Sequence, residues 1–366
     1  MEAFDRILVR APNWLGDVVM ATPLLRTLRE AYPRARLDVL TQPGGALVLE
    51  GFAGIDDVVP YRRKGEHAGF GGMRRLAREL RTRRYDLAVV CPNSFSSALL
   101  MRLAGIPRRL GWSYGGRGFL LTDRLVPPMR GHRRVPRPMP QYYLDLARHL
   151  GCEVLAEDAE LAVTAAGERE ADAFVARHGA AGTPLLGVNV GAAFGPSKHW
   201  RADRFGEVAA ALRARRGLRP VVLCGPGEEA LGRAVEDAIV AAGVPDVIRT
   251  SDAVLSLAGL KSVVARLALM VTTDTGPRHF AIAFDVPVVC VMGSTDPMMT
   301  DQPRARGSVV RLAPLLECMP CHEKVCPLAH HRCMEDLAAA PVVAACEAAL
   351  GQPPRARVAP PPRRSV

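Results

Sequence analysis

The sequence predicts two α/β domains, each built around an open parallel sheet. Three observations carry the prediction. Short apolar runs alternate with helical runs along most of the chain, the pattern of βαβ units. The alternation starts twice, at Arg6 and again at Leu185, and 366 residues suffice for two domains of ordinary size. The loops after the predicted strands are rich in Gly, Ser, Thr, Asn and Asp, at the sheet edge where such proteins bind ligands.

In the first domain, Arg6 to Arg10 is a short strand and Ala11 to Asp17 a turn. Val18 to Tyr32 has helical spacing at Val18, Val19, Leu24, Leu25 and Leu28, with Pro23 marking a kink or a late start. Asp17 opens this segment beyond the carboxyl end of the strand, placed either to act on a ligand or to cap the helix. The turn has neither the dinucleotide fingerprint nor a P-loop. Strands follow at Leu37–Leu40, Val58–Val59 and Asp86–Val90. Met73–Arg83 is a helix, and Pro92-Asn93-Ser94-Phe95 opens another; Arg108 to Gly111 then precede Trp112. Two basic loops interrupt the pattern. Tyr61–Gly72 carries Arg62, Arg63 and Lys64, and Val126–Pro140 carries Arg130, His132, Arg133, Arg134 and Arg137. They are anion-binding lids or simply solvated loops. Gln141–Leu150 is a helix, Gly151–Thr164 the crossover, and Gly167–His178 a further helix.

In the second domain, strands are expected at Leu185–Val190, Val221–Cys224, Asp246–Ile248, Leu267–Val271 and Val288–Met292. Helices are expected at Arg204–Arg215, Glu228–Ala241, Leu260–Arg266 and Phe280–Phe284. The resulting limits are 1–165 and 166–351, with 352–366 a disordered Pro/Arg tail.

Composition narrows the function. The net charge is +11, nearly all basic residues are Arg, and Lys occurs only at 64, 198, 261 and 324. The excess suits an anionic partner such as a phosphorylated substrate or a membrane surface. Aromatic residues are only 5% and do not interleave with the Arg clusters, which disfavours nucleic acid. No apolar run approaches a membrane span, and Met1–Arg10 does not have the build of a signal peptide. A cytoplasmic location is expected.

Three strand-end loops of the second domain offer groups for a nucleotide diphosphate. Val271-Thr272-Thr273-Asp274-Thr275-Gly276-Pro277-Arg278-His279 reads as strand, turn and helix. The unpaired N–H groups of that helix start would attract an anion, Gly276 allows close approach, and His279 lies one turn along. Asp274 or Thr275 would equally serve as an N-cap. Gly191-Ala192-Ala193-Phe194-Gly195-Pro196-Ser197-Lys198 follows the first strand, with small residues exposing backbone and Lys198 supplying charge. Gly225-Pro226-Gly227-Glu228 follows the next, and Glu228 is placed to take a sugar hydroxyl or to start a helix.

Of nine cysteines, Cys91, Cys152, Cys224, Cys290 and Cys346 are scattered in mostly apolar contexts. Cys318, Cys321, Cys326 and Cys333 cluster among His322, His330 and His331. In a reducing compartment this favours a structural zinc site over disulfides, with free thiols as the other reading.

The turn Trp14-Leu15-Gly16-Asp17, Pro92–Phe95, Ala104-Gly105-Ile106-Pro107 with Gly111-Trp112, Gly191 through Trp200, Asp274-Thr275-Gly276 with His279, and Gly293-Ser294-Thr295-Asp296-Pro297 ahead of Thr300 carry a resemblance. Over about residues 5–350 the chain resembles the ADP-heptose:lipopolysaccharide heptosyltransferases of glycosyltransferase family nine, most nearly the heptosyltransferase II group. The resemblance implies the GT-B architecture, two Rossmann-like, doubly wound parallel-sheet domains facing a central cleft. It implies inverting transfer from ADP-L-glycero-D-manno-heptose to the lipopolysaccharide inner core, adding the second heptose, at the cytoplasmic face of the inner membrane and without a catalytic cofactor. Asp17 matches the family's general base, Lys198 its phosphate-binding lysine, and Asp274 to His279 its donor motif. Pro277-Arg278 departs from the apolar residues that some members carry there. Gly191, Ala192, Lys198, Glu228, Asp274, Thr275, Gly276 and His279 are thus the donor-site candidates. Arg62, Arg63, Lys64, Arg133, Arg134 and Arg137 are the candidates for the acceptor. The competing functions are a nucleotide-sugar epimerase, against which the basic loops argue, and a basic nucleic-acid-binding protein.

Overall fold

Central strands of a parallel sheet are buried on both faces and so read as unbroken apolar runs. In the computed structural model, which describes residues 3–131, 133–302, 305–355 and 364 (side chains of residues 130, 133 and 134 excepted), such runs form the middle of two sheets. Residue contacts divide the chain into two units, chiefly Met1–Ala162 and Val163–Ala356.

The first unit runs β1 (Arg6–Arg10), α1 (Leu15–Met20), α2 (Thr22–Ala31), β2 (Arg36–Thr41), α3 (Pro43–Leu49), β3 (Asp57–Pro60), α4 (Gly69–Thr82), β4 (Leu87–Val90), α5 (Phe95–Leu103), β5 (Arg108–Trp112) and β6 (Asp123–Leu125). A short hairpin of β7 (Met129–Arg130) and β8 (Arg133–Arg134) and helix α6 (Met139–His149) complete it. Its six-stranded sheet has the order β3-β2-β1-β4-β5-β6, and every pairing is parallel. Alternate strand residues serve opposite faces. Leu8, Ala88 and Val90 join Leu76 and Leu80 of α4 and Leu100 and Met101 of α5 in one core. Ile7 and Val9 are fully buried from the other side, and α2 and α6 pack on each other.

The helical run from Val18 to Tyr32, with its kink or late start expected at Pro23, is two helices. Pro23 lacks an N–H and occupies the first turn of α2, where none is needed, so the chain breaks at Ala21. Asp17 therefore lies inside the first turn of α1, with Trp14 at the cap position.

The second unit runs α7 (Ala165–Arg177), β9 (Leu185–Asn189), α8 (Ala202–Arg216), β10 (Arg219–Leu223), α9 (Glu229–Ala241), α10 (Leu257–Val264), β11 (Leu269–Thr273), α11 (Gly276–Ala283), β12 (Val288–Val291), β13 (Gly307–Val310), α12 (Arg332–Glu335) and α13 (Ala339–Leu350). Its five-stranded sheet has the order β10-β9-β11-β12-β13, again all parallel. Leu186, Val188, Val222, Val271 and Val289 share a core with Trp200, with Phe205 and Leu212 of α8, with Val235 and Ile239 of α9 and with Val342 and Cys346 of α13. Helix α10 packs on α7 and on α11, and α11 packs on β11 and β12. Ser256 and Thr164 cap α10 and α7 by accepting from Gly259 and Gly167 N–H.

Asp246–Ile248 is not a strand; it contributes one isolated bridge between Ile248 and Val221. Nothing in the apolar spacing predicts α3, β6, β13, α12 or α13. The strands are short and part-polar, and α13 is alanine-rich with little contrast between faces. Gln352 to Arg355, expected in a disordered tail, are held in place. Arg355 Nε donates to Asp285 Oδ1 at 2.7 Å, and Gln352 Oε1 accepts from Gly307 N–H at 2.8 Å. The rest of that tail, Arg364 excepted, lies outside the described residues.

Phe205 is 1% exposed and meets Trp200 edge-on at 4.9 Å. Phe205→Ala is expected to destabilise the second unit by about 3–5 kcal/mol. A urea titration of the variant against wild type measures this, and a loss below about 1 kcal/mol would mean the core collapses around the gap.

Candidate active site

In an open parallel sheet the crevice for a ligand opens where strand order reverses, beyond the carboxyl ends. In the second unit that point lies between β9 and β11, because β10 lies on one side of β9 and β11 on the other. The loop carrying Gly191 and Lys198 and the loop carrying Asp274 to Gly276 both emerge there. The side chains tie them together. Asn189 Nδ2 donates to Thr272 Oγ1 at 2.9 Å and to Thr275 Oγ1 at 2.8 Å. Lys198 Nζ donates to Asp274 Oδ2 at 2.7 Å and to its main-chain oxygen at 2.8 Å.

Asp274 is the centre of this arrangement. Arg278, one turn along α11, donates to Oδ1 at 3.1 Å and to Thr300 Oγ1 at 2.7 Å; Thr295 Oγ1 donates to Oδ2 at 2.9 Å. Burial alone would raise the carboxyl's pKa, but Lys198 and Arg278 outweigh it and hold the group far below the usual carboxylate range. Two cations on one carboxylate leave a positive charge over. Thr275 occupies the cap position of α11 without capping it, since its hydroxyl serves Asn189 instead. Thr275 and Gly276 are only half-buried, so the helix start remains reachable by an anion.

Glu228 sits at the start of α9, and its carboxylate folds back to accept from Gly225 N–H at 2.8 Å. A Cβ on Gly191 would come within 1.9 Å of Glu228 Oε2, so a larger residue there would displace that carboxylate. Ala192 is buried. His279 is 3% exposed and its Nδ1 lies 3.0 Å from Gln302 Nε2. Burial first, and then the Arg278 charge, push its pKa down to about 3, so it brings no charge to the site.

In the first unit the strand order reverses between β1 and β4. The turn bearing Asp17 follows β1, and Pro92–Phe95 follows β4. Arg117, fully buried, donates to Ser94 O at 3.2 Å, to Asn93 Oδ1 at 3.3 Å and to Pro92 O, which fixes that second loop. Asp17 is half-buried and hydrogen-bonded to the Tyr143 hydroxyl of α6. Burial, reinforced by the Asp17 charge, raises Tyr143 well above the ordinary phenol range, so it stays a donor.

These two halves match known proteins. Residues 73–331 fit the profile described as "Glycosyltransferase family 9 (heptosyltransferase)". The chain belongs to glycosyltransferase family 9. It is 29% identical over 318 residues to lipopolysaccharide heptosyltransferase 2 of Salmonella typhimurium, covering 84% of this chain and 88% of that one. The crystal structure of Escherichia coli ADP-heptose lipopolysaccharide heptosyltransferase II superposes with a TM-score of 0.75 at 27% identity, over 94% of this chain and 98% of that chain. The family 9 glycosyltransferase of Veillonella parvula shares the fold, with a TM-score of 0.80 at 24% identity over 95% and 97% of the two chains.

In this family 9 glycosyltransferase, the loop with Arg62, Arg63 and Lys64 follows β3 and the hairpin with Arg133 and Arg134 follows β6. Both leave the same sheet edge as Asp17. Arg63 and Lys64 are exposed, and Arg62 pairs with Glu66 at 3.1 Å. Arg137 is held by Asp145 at 3.0 Å, which also holds Arg148. The side chains of Arg133 and Arg134 lie outside the described residues.

Two groups invite a metal. Among the described residues, Glu66, His67 and Glu79 bring three ligand-type atoms within 4.8 Å of one another. The chemistry rejects them. His67 Nδ1 accepts the Arg62 N–H at 3.1 Å, so the ring proton sits on Nε2, the atom facing both carboxylates. A metal there would need an imidazolate. The other group is Cys318, Cys321, Cys326 and Cys333. They are unbridged, and no three of their sulfurs lie all within 4.8 Å of one another, yet all four line one cavity of about 20 Å³.

Tyr143, Thr295 and Asn189 were not among the predicted site residues. Asn189, the last residue of its strand, and Thr295, in the loop after β12, carry a positional signal; Tyr143 converges on the site only through tertiary structure.

His279 has a testable signature. It binds a proton in the unfolded chain near pH 6.5 but not in the fold until about pH 3. Its contribution to stability is therefore complete above 6.5 and lost as pH falls toward 3, approaching about 1.4 kcal/mol per pH unit. Unfolding free energies between pH 6.5 and 5 are expected to fall less steeply in His279→Gln than in wild type. Equal slopes would show that His279 is protonated in the fold.

Proposed function

We propose that the protein transfers heptose from ADP-heptose to the lipopolysaccharide inner core, with inversion at the anomeric carbon. The observation that carries this is the Lys198–Asp274–Arg278 arrangement, a buried anchor with one positive charge in excess beside the open N-terminus of α11. A departing diphosphate needs such stabilisation, and fixed charges in a dry site can supply it without a metal. Membership of family 9 and the names of relatives at 27–29% identity support the sugar and the acceptor class. They also favour transfer over epimerisation.

In this scheme Thr275 and Gly276 N–H groups and Lys198 hold the diphosphate, while Glu228 and the Gly191–Ala192 backbone take the ribose side. His279 acts behind them, through Gln302 and the packing of α11. Asp17 accepts the proton of the acceptor hydroxyl as that oxygen bonds to the anomeric carbon. The bond from that carbon to the diphosphate breaks with its electron pair leaving on ADP. Tyr143 orients Asp17 for this step. Arg62, Arg63 and Lys64, with Arg133, Arg134 and Arg137, receive the phosphorylated core sugars. The net charge of +11 favours residence at an anionic membrane surface, weakened by salt. Among the described residues no helix is long and apolar enough to cross a membrane. The transfer itself requires no cofactor; a zinc ion on the four clustered cysteines belongs to the scaffold.

Two experiments test the scheme. Asp17→Asn is expected to lower kcat by about 10²–10⁴-fold while ADP affinity stays within a few-fold. Turnover near wild type would return Asp17 to a structural part in α1. Neutralising Arg62, Arg63 and Lys64 together should raise the acceptor KM and flatten the salt dependence of activity, leaving the donor KM unchanged. A defect confined to the donor KM would reverse the assignment of the two substrates.

A further inference from the structure

From Arg311 to His331, between β13 and α12, the chain forms no helix or strand. So long an irregular stretch in a packed domain needs something to hold it. Hydrophobic burial holds only its first part. Leu315, Val325 and Leu328 are 55–65% exposed. Leu316 and Met319 pack against the core, and beyond them the inward positions are mainly the cysteines: Cys318, Cys321 and Cys326 are half-buried and Cys333 is buried, while most residues between them are exposed. His322, Ala329 and His331 adopt left-handed backbone with φ of 59°, 57° and 46°, a conformation costly for residues other than glycine. These turns aim four thiols into one cavity of about 20 Å³, the room of a single small occupant.

We propose that Cys318, Cys321, Cys326 and Cys333 bind one structural zinc ion, and that this ion fastens the two loops that position Asp274. A closed tetrathiolate site has sulfurs about 3.8 Å apart, so the ion would draw the thiols inward from their present spacing. The two histidines that line the cavity each have one ring nitrogen engaged elsewhere. His331 Nε2 donates to Ser197 O at 3.0 Å, and His330 Nδ1 accepts from Arg332 N–H at 3.0 Å.

The fastening is explicit. Ser197 N–H donates to Lys324 O at 3.0 Å and Ser197 Oγ to Glu323 O at 2.5 Å. A Cβ on Gly195 would lie 2.4 Å from that same Lys324 oxygen. Ser197 precedes Lys198. On the other side, His322 N–H donates to Ser294 O at 2.7 Å, and a Cβ on Gly293 would lie 2.7 Å from Cys333 Sγ. Ser294 precedes Thr295. Lys198 and Thr295 are two of the donors on the Asp274 carboxylate, so the cysteine segment grips the chain one residue away from each.

Protein purified without chelators is expected to contain about one zinc per chain. Its four cluster thiols should resist alkylation until the metal is stripped, and Cys321→Ser and Cys326→Ser should lose the metal. Stripping should raise hydrogen exchange at the amides of Ser197 and His322, and zinc alone should reverse it. Metal-free protein with four alkylatable thiols, disulfides within the cluster, or iron in place of zinc would overturn the assignment. Unchanged exchange at Ser197 and His322 after stripping would overturn the fastening. Wild-type measurements suffice for these outcomes if the serine variants fail to fold. The consequence for the donor rests on the role proposed for Lys198: stripping should weaken ADP binding by about tenfold or more. If metal and exchange behave as expected while neither form binds ADP, the donor assignment fails and the zinc site stands.

Discussion

The buried carboxylate of Asp274 is the constraint on which the second unit's site depends. A charge removed from water is tolerated only when paired and fully hydrogen-bonded. Here two cations, a threonine hydroxyl and the geometry of three loops meet that demand. The ion pair does not by itself make the fold more stable than apolar packing would. Its effect is to make the alternatives costly. Removing one partner of such a pair costs about 3–5 kcal/mol, because the other charge is left buried. The loops after β9, β11 and β12 are thereby locked to one arrangement, and the start of α11 is held where its N–H groups face outward.

Both units place their chemistry by the same topological device. Strand order reverses beside β1 in one sheet and beside β9 in the other, and the loops flanking each reversal diverge. Asp17 and Asp274 occupy equivalent positions relative to these reversals only in part. Asp17 follows the central strand itself, whereas Asp274 follows its neighbour β11. The difference suits their environments. Asp17 is half-buried with a neutral donor, Tyr143, whereas Asp274 is enclosed by cations. One carboxylate is partly open, and the other is committed to structure.

The doubly wound sheets are legible in the sequence because central strands such as Leu87–Val90 and Leu269–Val271 are continuous apolar runs bounded by turn residues. Edge strands such as β13 are not, since Gly307 and Ser308 dilute the run. The strand-end loops are legible because glycines, Asp274 and Lys198 stand where topology puts a ligand. What the sequence withholds is mutual placement. Asp274 has the spacing of an anion site, and only the fold reveals that its own side chain occupies Lys198. Arg278 stands four residues from Asp274, an ordinary helical pair by spacing, yet its burial turns the pair into the anchor of the site. His279, plausible from spacing as a ligand-facing residue, points instead into packing against Gln302.

The choice of basic residue follows the same logic. Many arginines of this chain are structural. Arg10, Arg29 and Arg117 are fully buried and spend their guanidinium groups on main-chain carbonyls, where a planar fork with five donors is well matched. The formal charge of +11 therefore does not translate directly into exposed arginines that a ligand could contact. Lysine appears where a fork would be a disadvantage. At position 198 a guanidinium would bind Asp274 in two-point fashion and commit its donors there. The ammonium makes one contact to the carboxylate and one to the main chain, and lies 4.8 Å from the face of Phe194. Its third N–H is not bound by that geometry, and in the role proposed for it a flexible stem would let it move toward an anion without breaking the Arg278 and Thr295 contacts that keep Asp274 in place.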